Sequence, residues 1–488
     1  IKKVKGGINM EEIFEIFIYL SPFFVLIFGT VIVSFLNIWK KFIVAKAVSY
    51  LSLLISLLLT LFFISFVSRG YEFILFNATI IIDKFSLLIW LAILIGGIVA
   101  LASMHEELLK REAQPLLLLS VASGLMVISS RDLLILFVAL EATVFPTYAL
   151  VAQFKKDIIA AEATVKYFVF GILSTLLFGY GIALIYGEVG STLFIEIDNF
   201  IRIKETSNFI ILGFLLIILS LAIKATLFPL HVWAIDTYQG SPTSISAYLS
   251  SSSKIIGIAA IALLLTGPFY KLYHVPGFEL RYIMSILAVA TMVIPNIAGL
   301  VQRNIKRLLA YSSVAHSGYM ALVFVFPETA LQYLAYYLIT YSIAKSVSFL
   351  ITNLITGEGS YSPYDALRGL FKYKGTSLAA LAFAVSLLSL AGIPPFAGFM
   401  AKLLIFLYVA STGNLGMILA LIALIMSAVS VYYYAYLIRL ETLPITNGGN
   451  KNFVSRWDSN FIMVISILLL LILTFYPYLF ILPFPTIK

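Results

Sequence analysis

Apolar runs long enough to cross a bilayer recur along almost the whole chain, and this limits the fold more than any other feature. A helix crossing the hydrocarbon core needs roughly 20 predominantly apolar residues. By that measure there are about fourteen spans: 13–36, 42–67, 85–104, 114–130, 133–152, 164–187, 208–235, 241–266, 282–301, 308–326, 330–356, 376–408, 415–438 and 461–482. A transmembrane barrel would instead show alternating segments of about ten residues. These runs are continuous and rich in Leu and Ile, which predicts an all-α polytopic membrane protein. Composition agrees, with 61% of the 488 residues hydrophobic and 11% charged, whereas a soluble chain carries about a quarter charged. The first run is too long for the core of a signal peptide and is read as a retained helix.

Two runs are overlong and contain interior prolines, Pro229 in 208–235 and Pro394–Pro395 in 376–408. Proline removes a backbone donor and clashes with the preceding turn, so a broken helix is expected at each. In lipid such a break survives only where protein or a water-filled cavity satisfies the freed groups. Broken helices at matching places in two halves point to a transport site between inverted repeats. The chain therefore divides into three N-terminal helices (1–112), five-helix repeats over 113–267 and 281–440, and a C-terminal helix (460–488).

The net charge of +9 comes from Lys and Arg scattered through short loops. This is a pattern of membrane orientation rather than of a nucleic-acid groove. The side holding both termini collects 11 basic residues and the other 16, including Arg303, Lys306 and Arg307. Positive residues favour the cytoplasm, which places both termini outside the cell membrane. Cysteine is absent, which excludes disulfides, zinc thiolates and ordinary iron–sulfur ligation. A haem held by His231 and His316 has no other support. His231, two residues after Pro229, is expected to satisfy freed backbone groups or to conduct protons.

Five lysines remain inside the spans, Lys166, Lys224, Lys254, Lys345 and Lys402, together with Glu141. Each central charge costs ~2.5–3.5 kcal/mol on insertion scales. Snorkelling explains a lysine near a helix end and fits Lys166, which also follows Glu162 by one helical turn. It does not reach Lys224, Lys254 or Lys345, and Lys402 is intermediate. In general, desolvation lowers the proton affinity of a lysine and a neighbouring carboxylate raises it. Several lysines with one glutamate thus suit a chain of protonatable stations, and lysine is a poor ligand for Na⁺. A free-standing substrate carrier, the reading from another class, would gather carboxylates, amides and aromatics at one pocket.

LAIKATLFPLHVWAIDTYQGSPTSISAYLSSSSK (221–254) resembles the signature of the antiporter-like, proton-conducting subunits of respiratory complex I. EATVKYFVFG (162–171), RNIKRLLAYSSVAHSGYM (303–320) and LAGIPPFAGFMAK (390–402) resemble further blocks of that family in the same order. DTYQGSP and the serine run before Lys254 look most like the N-type subunit. The resemblance implies fourteen helices with two inverted repeats, and a hydrated axis driven by quinone reduction elsewhere in the complex. It implies that Glu141 pairs with Lys224, with Lys254 and Lys402 as further relay positions. Lys345, Lys166, Glu162 and His231 are secondary candidates. No cofactor is expected on this chain; quinone and redox groups would belong to partners, namely antiporter-like siblings and small helical subunits. Lys345 resembles instead a lysine of M- and L-type subunits and multisubunit cation/proton antiporters. An antiporter-like subunit of a membrane-bound hydrogenase or such an antiporter is accordingly the alternative.

Overall fold

The computed structural model describes residues 10–67, 72–154, 157–203, 207–327, 331–372, 375–444 and 456–477. The chain opens with α1 (Met10–Tyr19), α2 (Ser21–Ile38) and α3 (Phe42–Val67). A short antiparallel hairpin, β1 (Phe73–Leu75) with β2 (Ile80–Ile82), then leads into α4 (Lys84–Ser103). Next come α5 (Glu106–Leu109), α6 (Ala113–Ser129), α7 (Leu133–Val151), α8 (Ile158–Val189) and α9 (Phe194–Ile203). The segment with the first proline break gives α10 (Asn208–Lys224), α11 (Val232–Gly240), α12 (Thr243–Tyr248) and α13 (Lys254–Thr266). The remainder is α14 (Leu280–Gly299), α15 (Ile305–Ala321), α16 (Leu331–Thr356), α17 (Ser377–Ala391), α18 (Ala397–Ala410), α19 (Asn414–Thr442) and α20 (Trp457–Phe475).

Among the described residues, ten helical segments are long and apolar enough to cross a membrane. The other four expected spans are present as shorter helices. The run 114–130 becomes the seventeen-residue α6, and 308–326 becomes α15, whose serines, histidine and tyrosines lower its hydropathy. The runs 208–235 and 376–408 are cut at the expected places, between Lys224 and Val232 and between Ala391 and Ala397. Pro146 and Pro295, by contrast, sit inside the continuous helices α7 and α14.

Short polar residues start many of the helices. Asp83, Asp132, Asp157, Ser207 and Asn304 each accept a hydrogen bond from a backbone N–H in the first turn of α4, α7, α8, α10 and α15. These are the N-terminal donors a helix leaves unpaired. The β-hairpin is fixed at one end of the bundle by Arg131, whose guanidinium lies 2.7 Å from Asp83 Oδ2 and donates to the carbonyls of Ile128 and Ser130.

The helices are arranged around a buried centre. Helix α16 is buried along nearly its whole length and packs on α4, α12, α17 and α18, and α4 and α13 are almost as enclosed. Around them α2, α3, α8, α14, α19 and α20 turn large apolar side chains outward, among them Phe28, Leu58, Leu176, Ile286 and Leu421. Lipid is the solvent that suits such a surface. Polar groups consequently collect inside, on the faces of α13, α15, α16 and α19 that meet one another.

Candidate proton-relay site

The unwound stretch after α10 begins one residue beyond Lys224. The Lys224 ammonium lies 3.0 Å from Glu141 Oε1 on α7, and each side chain keeps only 10% of its surface exposed. The ends of the break are satisfied by neighbours. Trp233 Nε1 donates to the Ile223 carbonyl (3.1 Å), Ser317 Oγ to the Ala225 carbonyl (2.8 Å), and the Phe228 amide donates to Thr291 Oγ1 (3.0 Å). Thr226 holds φ at +57° and its hydroxyl meets Ser317 Oγ at 3.2 Å. A β-branched residue in the left-handed region is strained by ~1–2 kcal/mol, and that strain lies two residues from the ion pair. Gly257 on α13 lets this segment approach, since a Cβ there would stand 2.9 Å from the Ala225 nitrogen.

The expectation that His231 satisfies the freed backbone is not met. Trp233, Ser317 and Thr291 do so, while His231 Nδ1 is buried without a hydrogen-bond partner among the described residues and the ring faces Phe228. His231 ends the break, directly before α11, because the chain re-enters helix there.

Beside Lys224 is a cavity of about 30 Å³, lined among others by Tyr167, Ser174, Trp233, Ser253 and Gly257. That volume is room for about two water molecules. Of its lining residues, Ser253 ends a single π-helical turn (Leu249–Ser253) that delivers Lys254 to the start of α13. Such turns inside α-helices are frequent at functional sites, and nothing in the serine run announces one.

Lys254 donates to the carbonyl of Ser313 and to Ser313 Oγ (2.9 Å), and its ammonium sits 5.4 Å from the centre of the Tyr341 ring. The Tyr341 hydroxyl shares a hydrogen bond with Ser313 Oγ at 2.8 Å. The neighbouring Ser312 serves the next lysine, with Lys345 Nζ 2.7 Å from Ser312 Oγ. Ser312 Oγ also bonds the Tyr434 hydroxyl, which meets His316 Nε2 at 3.3 Å, and His316 Nδ1 meets the Tyr337 hydroxyl at 2.8 Å. Both imidazole nitrogens are thus engaged by tyrosines. Lys402 closes the row, donating to Ser427 Oγ (2.9 Å) and to the Ala391 carbonyl (2.9 Å), the last of α17 and one released by the second break. Its ammonium lies 4.9 Å from the centre of the Tyr319 ring, and that ring meets His316 edge-on. Gly392 makes room, with φ at +81° and a position where a Cβ would come within 2.8 Å of Lys402 Cδ.

Glu141, Lys224, Lys254, Lys345 and Lys402 therefore occupy one buried row running from α7 to α18. Among the described residues, no carboxylate pairs with Lys254, Lys345 or Lys402. Hydroxyls, carbonyls and aromatic faces take that place. Burying a charge is costly unless hydrogen bonds compensate it, and groups that both donate and accept are the ones that hand protons on. The sequence offers His316 only as an unsupported haem ligand within one family block, and gives the tyrosines around it no signal of their own.

Lys166 and Glu162 lie elsewhere. Lys166 pairs with Glu162 (2.5 Å) and with Asp236 Oδ2 (2.6 Å), and Arg307 reaches Asp236 Oδ1 at 2.9 Å. DTYQGSP thus supplies a clasp. Its Ser241 carbonyl accepts from Lys306 Nζ (2.6 Å), which also reaches the Gly359 carbonyl (3.1 Å), and Ser244 just beyond donates twice to Glu358. Lys306 is fully buried, a correction to its reading as a loop charge, because these carbonyls replace its water.

A sequence profile described as "NADH:quinone oxidoreductase/Mrp antiporter, TM" matches residues 130–430. NADH-quinone oxidoreductase subunit N of Chlorobium chlorochromatii is 35% identical over 370 residues, 72% of this chain and 71% of that protein. A chain of respiratory complex I from Thermus thermophilus, solved with bound aureothin, superposes with a TM-score of 0.80 at 30% identity, covering 94% of this chain and 98% of that one. A chain of the Mrp complex from Dietzia sp. shares the fold alone, with a TM-score of 0.83 at 21% identity over 97% and 96% of the two chains. The chain is a multi-pass membrane protein, and it belongs to the NADH:quinone oxidoreductase/Mrp antiporter transmembrane family.

Proposed function

We propose that this chain is a proton-translocating subunit, of N type, in a complex I-like quinone oxidoreductase. Protons move along the buried row while quinone is reduced in other subunits. The observation that carries this reading is the Glu141–Lys224 ion pair at a helix break beside a hydratable cavity. Separating the pair changes the charge balance at Lys224 and drives a proton toward Lys254 and onward through Ser313, Ser312, Lys345 and His316 to Lys402. The chain itself supplies no redox centre. Its partners are antiporter-like sibling subunits and small helical subunits in the cell membrane, and residues 113–267 and 281–440 act as inverted repeats. Both termini face outward; most of the N- and C-terminal charges behind that assignment lie outside the described residues. Lys166 and Glu162 hold the Asp236 clasp, and His231 stands by the break as a secondary station.

Replacing Lys224 by Ala tests this in vesicles carrying the assembled complex. Redox-driven proton uptake should be lost, and an unchanged ratio of protons to electrons would sink the proposal. Lys345, buried and bonded to Ser312, favours a second reading, an antiporter-like subunit of a membrane-bound hydrogenase or a cation/proton antiporter. Mass spectrometry of co-purified subunits separates the two, because each assembly brings different partners.

A further inference from the structure

Helix α19 faces lipid along much of its surface, yet one stripe of it is buried, and that stripe carries the last partners of the relay. Ser427 holds Lys402, and Tyr434 holds Ser312 and His316. Continuing at the same spacing, Leu437 and then Glu441 fall on this face near the end of the helix. Seven residues separate Glu441 from Tyr434, two helical turns or ~10.5 Å along the axis.

Glu441 is fully buried, and neither of its carboxyl oxygens has a hydrogen-bond partner among the described residues. Other enclosed carboxylates among the described residues are held by partners. Asp83 has Arg131, Asp236 has Lys166 and Arg307, and Glu358 has Ser244 and Asn353. Among the described residues, the ionisable groups packed around the end of α19 do not reach it. Asp365 and Arg368 of the adjoining turn pair with each other at 2.7 Å, and Arg439 and Lys372 are exposed. The turn is held by its backbone instead, the Phe371 amide lying 3.4 Å from the Glu441 carbonyl. The carboxyl group therefore ties nothing together. A leucine would fill the space without leaving buried oxygens unsatisfied.

We propose that Glu441 is a proton-exchanging carboxyl that joins the Tyr434–His316–Lys402 end of the row to the aqueous side bearing Arg303, Arg307 and Arg368. This rests on the proton-translocation reading above. In loading, a carboxylate oxygen of Glu441 forms an O–H bond with a proton given up by a hydronium ion on that side, which is left as water. In release, that bond breaks and the proton passes by intervening water over the two turns to a base of the row. No electron moves. Glu441 is thereby a member of the pathway that neither the lysine pattern nor the two helix breaks identifies.

The test measures protons moved per electron in vesicles with the assembled complex, comparing Glu441→Gln, Glu441→Asp and Lys224→Ala. Glu441→Gln should lower the ratio, and Glu441→Asp, which keeps a titrating carboxyl, should recover most of it. A wild-type ratio in Glu441→Gln, with translocation lost in Lys224→Ala, overturns the role of Glu441 and leaves the wider reading standing. A wild-type ratio in Lys224→Ala overturns the wider reading and the inference with it. If Glu441→Gln does not assemble, the wild-type complex is treated with a hydrophobic carbodiimide, which modifies protonated carboxyls in apolar surroundings. An adduct on Glu441 whose rate changes when quinone is supplied supports the proposal. No adduct, or a rate indifferent to turnover, overturns it.

Discussion

Removing Lys224 alone should harm the fold more than removing Lys224 and Glu141 together would suggest. The two charges are 3.0 Å apart with side chains 10% exposed. At that separation, and with an effective dielectric of about 20, their attraction is ~5.5 kcal/mol. Much of this offsets the desolvation of both ions, so the pair adds little net stability. Losing one partner leaves the other buried and uncompensated, at ~3–5 kcal/mol. Lys224→Met and Glu141→Met should each destabilise the full chain by about that amount. Because the pair adds little net stability, the double variant should be less destabilised than either single one and so fall well short of their sum. Reversible unfolding of the chain in bicelles by steric trapping measures all four corners of the cycle. Additivity within ~0.5 kcal/mol would refute the reasoning, because it would mean that the two charges do not sense each other.

Two further outcomes follow from geometry. Gly392→Ala places a Cβ 2.8 Å from Lys402 Cδ at a residue with φ of +81°. It should destabilise by ~1–2 kcal/mol or more and lower coupled proton uptake by displacing the Lys402 ammonium, both measurable on one vesicle preparation. His316→Phe keeps the aromatic packing but removes the link between Tyr434 and Tyr337. Proton uptake should fall while the complex still assembles, and unchanged uptake would remove the imidazole from the pathway.

The lysines and the two broken helices were legible in the sequence because a charge or a proline in a long apolar run has no ordinary explanation. Their partners were not. Ser312, Ser313 and Ser427 are unremarkable in a membrane helix, and only the packing of α15 on α13 and α16 shows that two adjacent serines serve different lysines. Lys306 misled in the other direction: near two arginines at a helix start it reads as a loop charge, and only the folded chain shows the Ser241 and Gly359 carbonyls that receive it. Two spans fell short because a proline break cuts them and one because a polar helix face lowers its hydropathy, while the run 114–130 holds only seventeen residues to begin with.

The row from Lys345 to Tyr337 is made of groups that can give or take a hydrogen at the same atom, save one. Hydroxyl hydrogens of Ser312, Tyr434 and Tyr337 reverse by a simple swing about a C–O bond. The His316 ring takes a proton on one nitrogen and gives it from the other, and both nitrogens are pinned by hydroxyls. After one passage every hydroxyl points backward and the ring holds its hydrogen on the opposite nitrogen. The wire is then polarised the wrong way for the next passage. On the relay proposed above, traffic through it would therefore be a hop followed by a turn. The turn would be slowest at the imidazole, whose reset would require a ring flip against packed tyrosines or a return of hydrogen through them.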